Sequence, residues 1–322
     1  MRIICYNYFN NMLRKLKILP VILLIFLVSC AVTQEEKPSE DIPKEVTFND
    51  YILRTVMLME DGGGFYAGRQ EKEEFEHDAW QGLDQAVILD DGKVKIDMSK
   101  ANPSFCSSAI YIALLKSLKD WDQDNRISYE AWENLKPYTV EDRKWRIQGD
   151  GEGCWGRANA NGPGLAVLIN ELKAGTNTYL APRYEYSSKD EYYEAWRNIE
   201  PGDILKLFWN RYIGADDEHS ERGHIVIFLD MKEIIDETWK KDAIIYYWSS
   251  NGSGFMPDKG YSIGKARLSE IYRAVATHID DPAAFDNAKN IMPDDANDWL
   301  VSLYDGHLAS EEEMLKELNI TK

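Results

Sequence analysis

Apolar residues recur at helical spacing in the first part of the chain and form continuous runs after Pro201. The helical spacing predicts helices over Tyr51 to Met59, from Cys106 onward, and over Ser128 to Leu135, Leu165 to Leu172 and Lys189 to Trp196. The later runs predict strands over Ile204 to Trp209, His224 to Leu229 and Ile244 to Trp248. Two more helices are predicted over Leu268 to Ala276 and after the capping box at Ser310. Helices followed by strands indicate an α+β domain with a mainly antiparallel sheet.

An apolar run from Ile18 to Leu27 follows several basic residues near the start of the chain. The run is shorter than the about 20 residues that a membrane-spanning helix needs, and its layout is typical of an export signal. It ends in Leu-Val-Ser-Cys, which resembles a bacterial lipobox, whose cysteine becomes the lipidated N-terminus. We therefore predict a signal peptide at residues 1–29 and a lipid anchor on Cys30. A signal anchor or an ordinary secretory peptide is the alternative.

The segment after the predicted signal is polar and acidic, with prolines at Pro38 and Pro43. Such a composition cannot bury enough apolar surface to fold, so residues 30–48 are predicted to be a tether. Residues 49–322 are predicted to form one domain, because a chain with 44% hydrophobic residues can build a sizeable core.

The chain carries a formal net charge of −18, and cleavage of the predicted signal would remove further basic residues. This charge argues against nucleic-acid binding, which draws on clustered Lys and Arg. The predicted location is the bacterial cell envelope, where a lipid anchor would hold a monomer outside the cytoplasm.

Two cysteines, Cys106 and Cys154, remain after the predicted signal. Cys106 opens a predicted helix, where unpaired backbone N–H groups and the helix dipole stabilise a thiolate. A histidine that enters a strand, His224, can serve as its base if the fold brings the two together. Outside the cytoplasm the two cysteines could instead form a disulfide, so that alternative stays open.

Three segments resemble motifs of the NlpC and CHAP families, which are papain-like cysteine peptidases and amidases that cut bacterial cell-wall peptides. They are N-P-S-F-C-S-S-A-I-Y at residues 102–111, P-G-D-I-L at 201–205 and G-H-I-V-I-F at 223–228. The resemblance implies a papain-like core in which the nucleophile helix packs on the sheet. Because the gap between Cys106 and His224 is longer than in compact members of these families, it also implies a helical insertion around residues 120–200.

The resemblance also implies catalytic roles. Cys106 would attack an amide bond of a peptidoglycan stem peptide, and His224 would act as its base. The family places a third polar residue after the next strand, where Asn251 stands, by analogy with the papain-like Cys-His-Asn arrangement. A turn residue in an Asn-Gly pair is the alternative interpretation of Asn251. Tyr66 resembles the tyrosine that precedes the nucleophile in NlpC-type enzymes and would contact the substrate or the oxyanion.

A glycine-rich segment at residues 153–164 is predicted to be a loop that runs into the helix at Leu165. Glycines permit close approach of the backbone to a ligand, and Arg157 could hold a substrate carboxylate through two parallel hydrogen bonds. We predict that this loop forms a wall of the cleft, with Trp155 and Trp248 as further substrate contacts. A surface loop that caps the following helix is the alternative.

Two acidic segments raise the question of a metal. Residues 120–128 resemble the first half of an EF-hand loop, but Ala131 replaces the bidentate glutamate, so an acidic turn that caps the next helix is favoured. A cluster around His219 and His224 does not match helical zinc spacing. The sequence therefore predicts a hydrolase with no metal and no cofactor. The alternative function is a non-catalytic lipoprotein on the same fold that binds the cell wall or a glycan, and a glycosidase is not excluded.

Overall fold

The computed structural model describes residues 46–61, 63, 79–137, 151–159, 162–214, 220–221, 223–235, 241–251 and 260–321. The chain from Val46 onward forms one unit. The predicted signal peptide, with Cys30, lies outside the described residues, and so does almost all of the predicted tether.

The described residues form nine α-helices. They are α1 (Phe48–Leu58), α2 (Ala79–Ala86), α3 (Cys106–Trp121), α4 (Tyr129–Leu135), α5 (Gly153–Asn159), α6 (Leu165–Leu172), α7 (Lys189–Arg197), α8 (Asp298–Tyr304) and α9 (Glu311–Glu317). Short 3-10 helices cover Met98–Lys100, Arg183–Glu185, Leu268–Glu270 and Pro282–Asn290. Ser128, where a helix was predicted to begin, and Ser310, of the predicted capping box, stand directly before α4 and α9. Their hydroxyls accept hydrogen bonds from the helix backbone.

The strands form one large sheet and two small ones. They are β1 (Val87–Asp90), β2 (Lys93–Ile96), β3 (Thr176–Leu180), β4 (Ile204–Phe208), β5 (Tyr212–Gly214), β6 (Ser220–Glu221), β7 (His224–Ile235), β8 (Lys241–Ser250), β9 (Tyr261–Arg267), β10 (Arg273–His278) and β11 (Leu308–Ala309). The large sheet has the order β3-β10-β4-β7-β8-β9, and all neighbouring strands in it are antiparallel. The α+β class with a mainly antiparallel sheet is therefore confirmed.

Both faces of the large sheet are buried, which explains the continuous apolar runs in β4 and β7. One face, with Ile204, Ile225 and Ile227, packs in the same cluster as α3 and α6. The other face, with Leu205, Leu207, Val226 and Phe228, packs against the aromatic residues of α7. Helix α3, which begins at Cys106, therefore packs on the sheet whose central strand β7 begins at His224.

The helix predicted over Leu268 to Ala276 is wrong. The chain there forms a 3-10 turn, Leu268–Glu270, followed by strand β10. Strand β10 lies between β3 and β4, and five of its six residues are buried. A strand buried on both faces shows no alternation of apolar and polar residues, so its alanines resembled a helical pattern.

The helical insertion predicted around residues 120–200 is not a separate subdomain. The region does supply α4 to α7, but β3 within it is the edge strand of the large sheet and pairs with β10. The apolar side of α6 also belongs to the same core cluster as α3. These helices are needed to cover the sheet, so the extra length between Cys106 and His224 completes the main core.

The acidic segment after α3 is a turn whose carboxylates are engaged within the protein. Asp122 is buried and accepts a hydrogen bond from the backbone N–H of Arg126 at 2.6 Å, while Asp124 forms an ion pair with the Arg126 guanidinium. Asp120 pairs with Lys116, one helical turn earlier. These contacts agree with the capping turn that the sequence favoured.

The Pro201-Gly202-Asp203 motif joins three elements through one buried carboxylate. Oδ1 of Asp203 accepts hydrogen bonds from Asn49 Nδ2 of α1 at 2.9 Å and from Nδ1 of His278, at the end of β10, at 2.6 Å. Gly202 has a φ of +97°, and a Cβ there would lie 2.6 Å from the Cβ of Asn49. The glycine is therefore required for α1 to approach the start of β4.

Replacing His278 with glutamine is expected to destabilise the protein more at low pH than at high pH. Partial burial alone would lower the pKa of His278, but the hydrogen bond to Asp203 and the surrounding carboxylates raise it overall. The stability that the protonated ring contributes is thus fully present below the unfolded pKa of 6.5 and is lost as the pH rises through the raised pKa.

For His278→Gln we expect a loss of about 1 kcal/mol near pH 6, a modest value because the imidazole is partly exposed. The loss should be smaller near pH 9, because the stability from the protonated ring falls as the pH rises through the raised pKa of His278. Urea unfolding of both proteins at the two pH values measures the difference. An equal loss at both values would contradict the protonated pair.

Candidate active site

Cys106 is the first residue of α3, and the chain around it is locked by short polar contacts. The Ser108 hydroxyl accepts a hydrogen bond from the backbone N–H of Phe105 at 2.8 Å and donates one to its carbonyl at 2.9 Å. Just before it, the carbonyl of Ser104 accepts a hydrogen bond from the Ser250 hydroxyl of β8 at 3.2 Å. The helix start is therefore held both by its own first turn and by the sheet.

The body of α3 fixes the direction of its first turn. Its central residues, including Ile110, Ala113 and Leu114, are completely buried against the sheet and the neighbouring helices. A helix that is buried on nearly all sides has little freedom to shift. The thiol at its N-terminus is accordingly presented from a rigid position, which a nucleophile requires.

His224 is the first residue of β7, and its ring is oriented by Asn251, which directly follows β8. The Nε2 atom of His224 lies 3.2 Å from Oδ1 of Asn251. The Asn251 Nδ2 group donates to the carbonyls of Ser249 at 3.1 Å and Ser262 at 2.7 Å. Because both amide hydrogens are engaged in this way, Oδ1 faces the imidazole and accepts from Nε2–H. The other ring nitrogen, Nδ1, is then available to the thiol.

The Cys106 thiol is hydrogen-bonded to His224 and is strongly acidic. Loss of water around the sulfur by itself raises its pKa. The hydrogen bond to His224, the positive charges of His224 and Lys206 and the backbone N–H of Ile225 outweigh this effect, and the pKa falls from 9.0 to about 6. At neutral pH the sulfur is therefore mostly thiolate, the form that acts as a nucleophile.

Two aromatic rings enclose the imidazole of His224. The ring centroid of Trp209 lies 6.1 Å from that of His224 with an interplanar angle of 31°, and the ring of Tyr247 lies 5.9 Å away, nearly perpendicular. Trp209 is 37% exposed, whereas Tyr247 is buried. The sequence analysis missed both residues. The signal was their place in the chain: Tyr247 lies in β8 and Trp209 directly follows β4, and these two strands flank β7.

No protein-family model, curated protein or solved structure matches the chain. Any role for Cys106, His224 and Asn251 therefore depends on their own contacts in this structure.

Cys106 and Cys154 are both free thiols, so the disulfide alternative is wrong. Cys154 lies in the short helix α5, is only 1% exposed, and has a pKa raised to about 12, chiefly by burial. It is thus a buried, neutral thiol. The two cysteines differ by about six units in pKa, which singles out Cys106 as the reactive one.

The expectation that Arg157 grips a substrate carboxylate does not agree with its position. Arg157 is 6% exposed, its Nε lies 2.5 Å from Oε2 of Glu171, and it also donates to the carbonyls of Gly153 and Asp295 at 3.1 Å. The segment predicted as a loop contains helix α5, and Arg157 holds that helix against α6. The guanidinium is therefore a structural group inside the protein.

The glycine-rich segment contacts the first turn of α3 through Asn159. The hydroxyl of Ser107, next to Cys106, donates to Oδ1 of Asn159 at 2.6 Å. Asn159 ends α5 and is partly exposed. That this segment forms a wall of the cleft stays a prediction.

The two tryptophans predicted as substrate contacts are core residues. Trp155 is buried and packs on Tyr111, with ring centroids 5.2 Å apart. Trp248 is buried and packs on Tyr261 at 5.3 Å. Both predictions are wrong, because burial of a large ring depends on partners that are distant in the sequence. Tyr66 lies outside the described residues.

The described residues contain no group of three or more His, Cys, Asp or Glu that could hold a metal ion. His219, the second histidine of the disfavoured cluster, lies outside them. No helix in the described part of the chain is long and apolar enough to cross a membrane.

Replacing Asn251 with alanine is expected to slow hydrolysis about 10- to 100-fold without abolishing it, because the ring of His224 loses its orienting acceptor while the thiol remains. Initial rates of wild type and Asn251→Ala on the same substrate measure the effect. Ser269→Ala, in the turn before β10, is a matched control, since its hydroxyl bonds Asp242. An unchanged rate in Asn251→Ala would show that this contact has no part in the reaction.

Proposed function

We propose that the protein is a cysteine peptidase or amidase with a papain-like core, in which Cys106 is the nucleophile, His224 the base and Asn251 the residue that orients the base. The observation that carries the proposal is the acidic Cys106 thiol in hydrogen-bond contact with a histidine whose second nitrogen is bound by a fixed asparagine. The order and spacing of these three polar groups match the requirements of a thiolate–imidazole nucleophile.

The reaction begins with the Cys106 thiolate and a protonated His224. The sulfur attacks the carbonyl carbon of an amide, and a tetrahedral oxyanion forms. His224 donates its proton to the leaving amine, and the C–N bond breaks to leave an acyl-enzyme thioester. His224 then takes a proton from water, which attacks the thioester and releases the acid. Departure of the sulfur as thiolate restores the starting pair.

The first turn of α3 is the natural position for the oxyanion. The first backbone N–H groups of a helix have no intrahelical acceptor, and Cys106 is the first residue of α3, so its N–H would lie beside a carbonyl that the sulfur attacks. The dipole of this long, buried helix adds partial positive charge at the same point. Removing a donor of this kind typically costs about 100- to 1,000-fold in rate.

The proposed substrate is a stem peptide of peptidoglycan. Support comes from the sequence, because the apolar run followed by Leu-Val-Ser-Cys predicts a lipid-anchored protein of the cell envelope, where that polymer would be an abundant amide substrate. The resemblance of the three motifs to NlpC and CHAP segments points to the same chemistry.

The alternative of a non-catalytic binding lipoprotein draws little support from the described residues. A Cys106–Cys154 disulfide would have favoured it, but both thiols are free. Its suggested ligand contacts Arg157, Trp155 and Trp248 are all buried. No specific contact argues for it over hydrolysis.

Digestion of purified muropeptides tests the proposed function. The protein is incubated with disaccharide-peptides, and the products are separated and weighed by mass spectrometry. Gain of one water with loss of a peptide fragment identifies the amide bond that is cut. Release of free sugar from the glycan, unaffected by a thiol-alkylating reagent, would instead indicate a glycosidase and overturn the proposal.

A further inference from the structure

Strand β4 contains one charged residue in an otherwise apolar sequence, Ile-Leu-Lys-Leu-Phe. That residue, Lys206, is 6% exposed. Lysine is almost never buried to this extent unless its charge is compensated, because removing an ammonium group from water is costly. The burial of Lys206 therefore indicates that its charge is compensated inside the protein.

Lys206 lies on the face of the sheet that α3 covers. Its register partners are Ile225 of β7 and Val275 of β10, and cross-strand partners project from the same face. Ile225 belongs to the core cluster against which Cys106 packs, and its backbone N–H is hydrogen-bonded to the Cys106 sulfur. Lys206 is thus the cross-strand neighbour of the residue whose backbone N–H contacts the sulfur.

Gly223 leaves the space through which the lysine side chain passes. Its φ is +74°, and a Cβ at this position would lie 2.7 Å from Cε of Lys206 and 2.8 Å from Cε1 of Phe208. The Cε atom is one bond from the ammonium nitrogen. The ammonium group of Lys206 therefore lies close to residues 223–225. These residues include His224, the proposed base, and Ile225, whose backbone N–H donates to the sulfur.

We propose that Lys206 is a positioning residue of this site, whose ammonium group stabilises the Cys106 thiolate together with the imidazolium of His224. The inference deepens the proposed function and rests on it for the identity of the nucleophile. It accounts for the lysine in β4 and for the glycine that precedes the base.

The charged groups of the described chain that act on the Cys106 sulfur are His224, from β7, and Lys206, from β4. Both are cations, and both favour the thiolate over the thiol. The sulfur carries this negative charge before it attacks the amide and again when it departs from the acyl group. Lys206 therefore acts on the free thiolate that begins and ends the reaction.

The test is the pH dependence of Cys106 alkylation by iodoacetamide, followed by mass spectrometry of the peptide that contains Cys106. Lys206→Met keeps the length of the side chain and removes its charge. We expect its alkylation midpoint to lie about one pH unit above that of the wild type, which slows alkylation near pH 6 roughly fivefold. Lys206→Arg retains the charge and should restore most of the wild-type midpoint.

Lys232→Met is the matched control, because Lys232 is an exposed lysine farther along β7. It should leave the midpoint unchanged. Thermal melting of each variant establishes that it is folded, and Lys206→Gln replaces Lys206→Met if the latter is not. A folded Lys206→Met or Lys206→Gln protein with the wild-type midpoint would reduce Lys206 to a structural residue and overturn the inference.

This assay does not require hydrolysis, so the two proposals fail separately. A raised midpoint in Lys206→Met, in a protein that cleaves no muropeptide, would uphold the inference and reject the proposed substrate. Muropeptide cleavage that depends on Cys106, together with a wild-type alkylation midpoint in Lys206→Met, would support the proposed function and reject the inference about Lys206.

Discussion

Replacing Cys106 with alanine is expected to reduce amide hydrolysis by at least about 1,000-fold, to the background of the assay. The variant removes the atom that forms the acyl-enzyme, and no other described side chain can substitute for it. The fold should be retained, because Cys106 is partly exposed and α3 is held by its buried body. Product formation from muropeptides, measured by mass, compares the two proteins.

The matched control for this variant is Cys154→Ala. It also removes a thiol, but Cys154 is buried and has a raised pKa, so the variant should keep the activity and lose only a little stability. Equal product from wild type and Cys106→Ala would reject Cys106 as the nucleophile. Loss of activity in Cys154→Ala, with its melting temperature unchanged, would indicate that the reaction depends on Cys154 and contradict the choice of Cys106.

Replacing His224 with alanine is expected to convert Cys106 from a thiolate into a neutral thiol at pH 7. The pKa of about 6 depends on the hydrogen bond and the charge of His224, while the burial that raises it remains in the variant. The pKa should return to about 8.5 or higher, which lowers the thiolate fraction roughly 30-fold or more. The rate of Cys106 alkylation near pH 7 measures this fraction directly.

His307→Ala is the corresponding control, because His307 is an exposed histidine that pairs with Glu313 near the C-terminus. Its alkylation rate should equal that of the wild type. If His224→Ala alkylates as fast as the wild type, His224 is not the partner that ionises Cys106. The hydrogen bond between them would then have no role in the chemistry.

The candidate pair was predictable from the sequence because each partner marks the start of a regular element. Cys106 begins a helix whose apolar spacing is clear, and His224 begins a strand with a continuous apolar run. Asn251 was predictable by analogy, since β8 pairs with β7 and its end therefore lies near the start of β7. The local patterns predict where α3 and β7 begin, and the antiparallel pairing of β7 with β8 brings Asn251 close to His224.

The remaining features of the site depend on contacts between distant segments. Arg157 and Trp155 stand in a segment rich in glycine, which suggested an open loop. In the fold, Arg157 is held by Glu171 of α6 and by the carbonyl of Asp295, and Trp155 packs on Tyr111 of α3. Lys206 was not predicted as a site residue. Its position near the site depends on its close approach to Gly223 and on the packing of α3 over the sheet, and neither is visible in the sequence. Strand β10 was missed since burial on both faces removes the period that identifies a strand.

The central claim is that Cys106 is an acidic thiol activated by His224, and the pH dependence of its alkylation in the wild-type protein tests this claim most directly. Iodoacetamide is applied across a range of pH, and the peptide containing Cys106 is quantified by mass spectrometry. The account predicts a midpoint near 6, with Cys154 unreactive in the folded protein. A Cys106 midpoint at about 8.5 or above, the value of an ordinary cysteine, would contradict it.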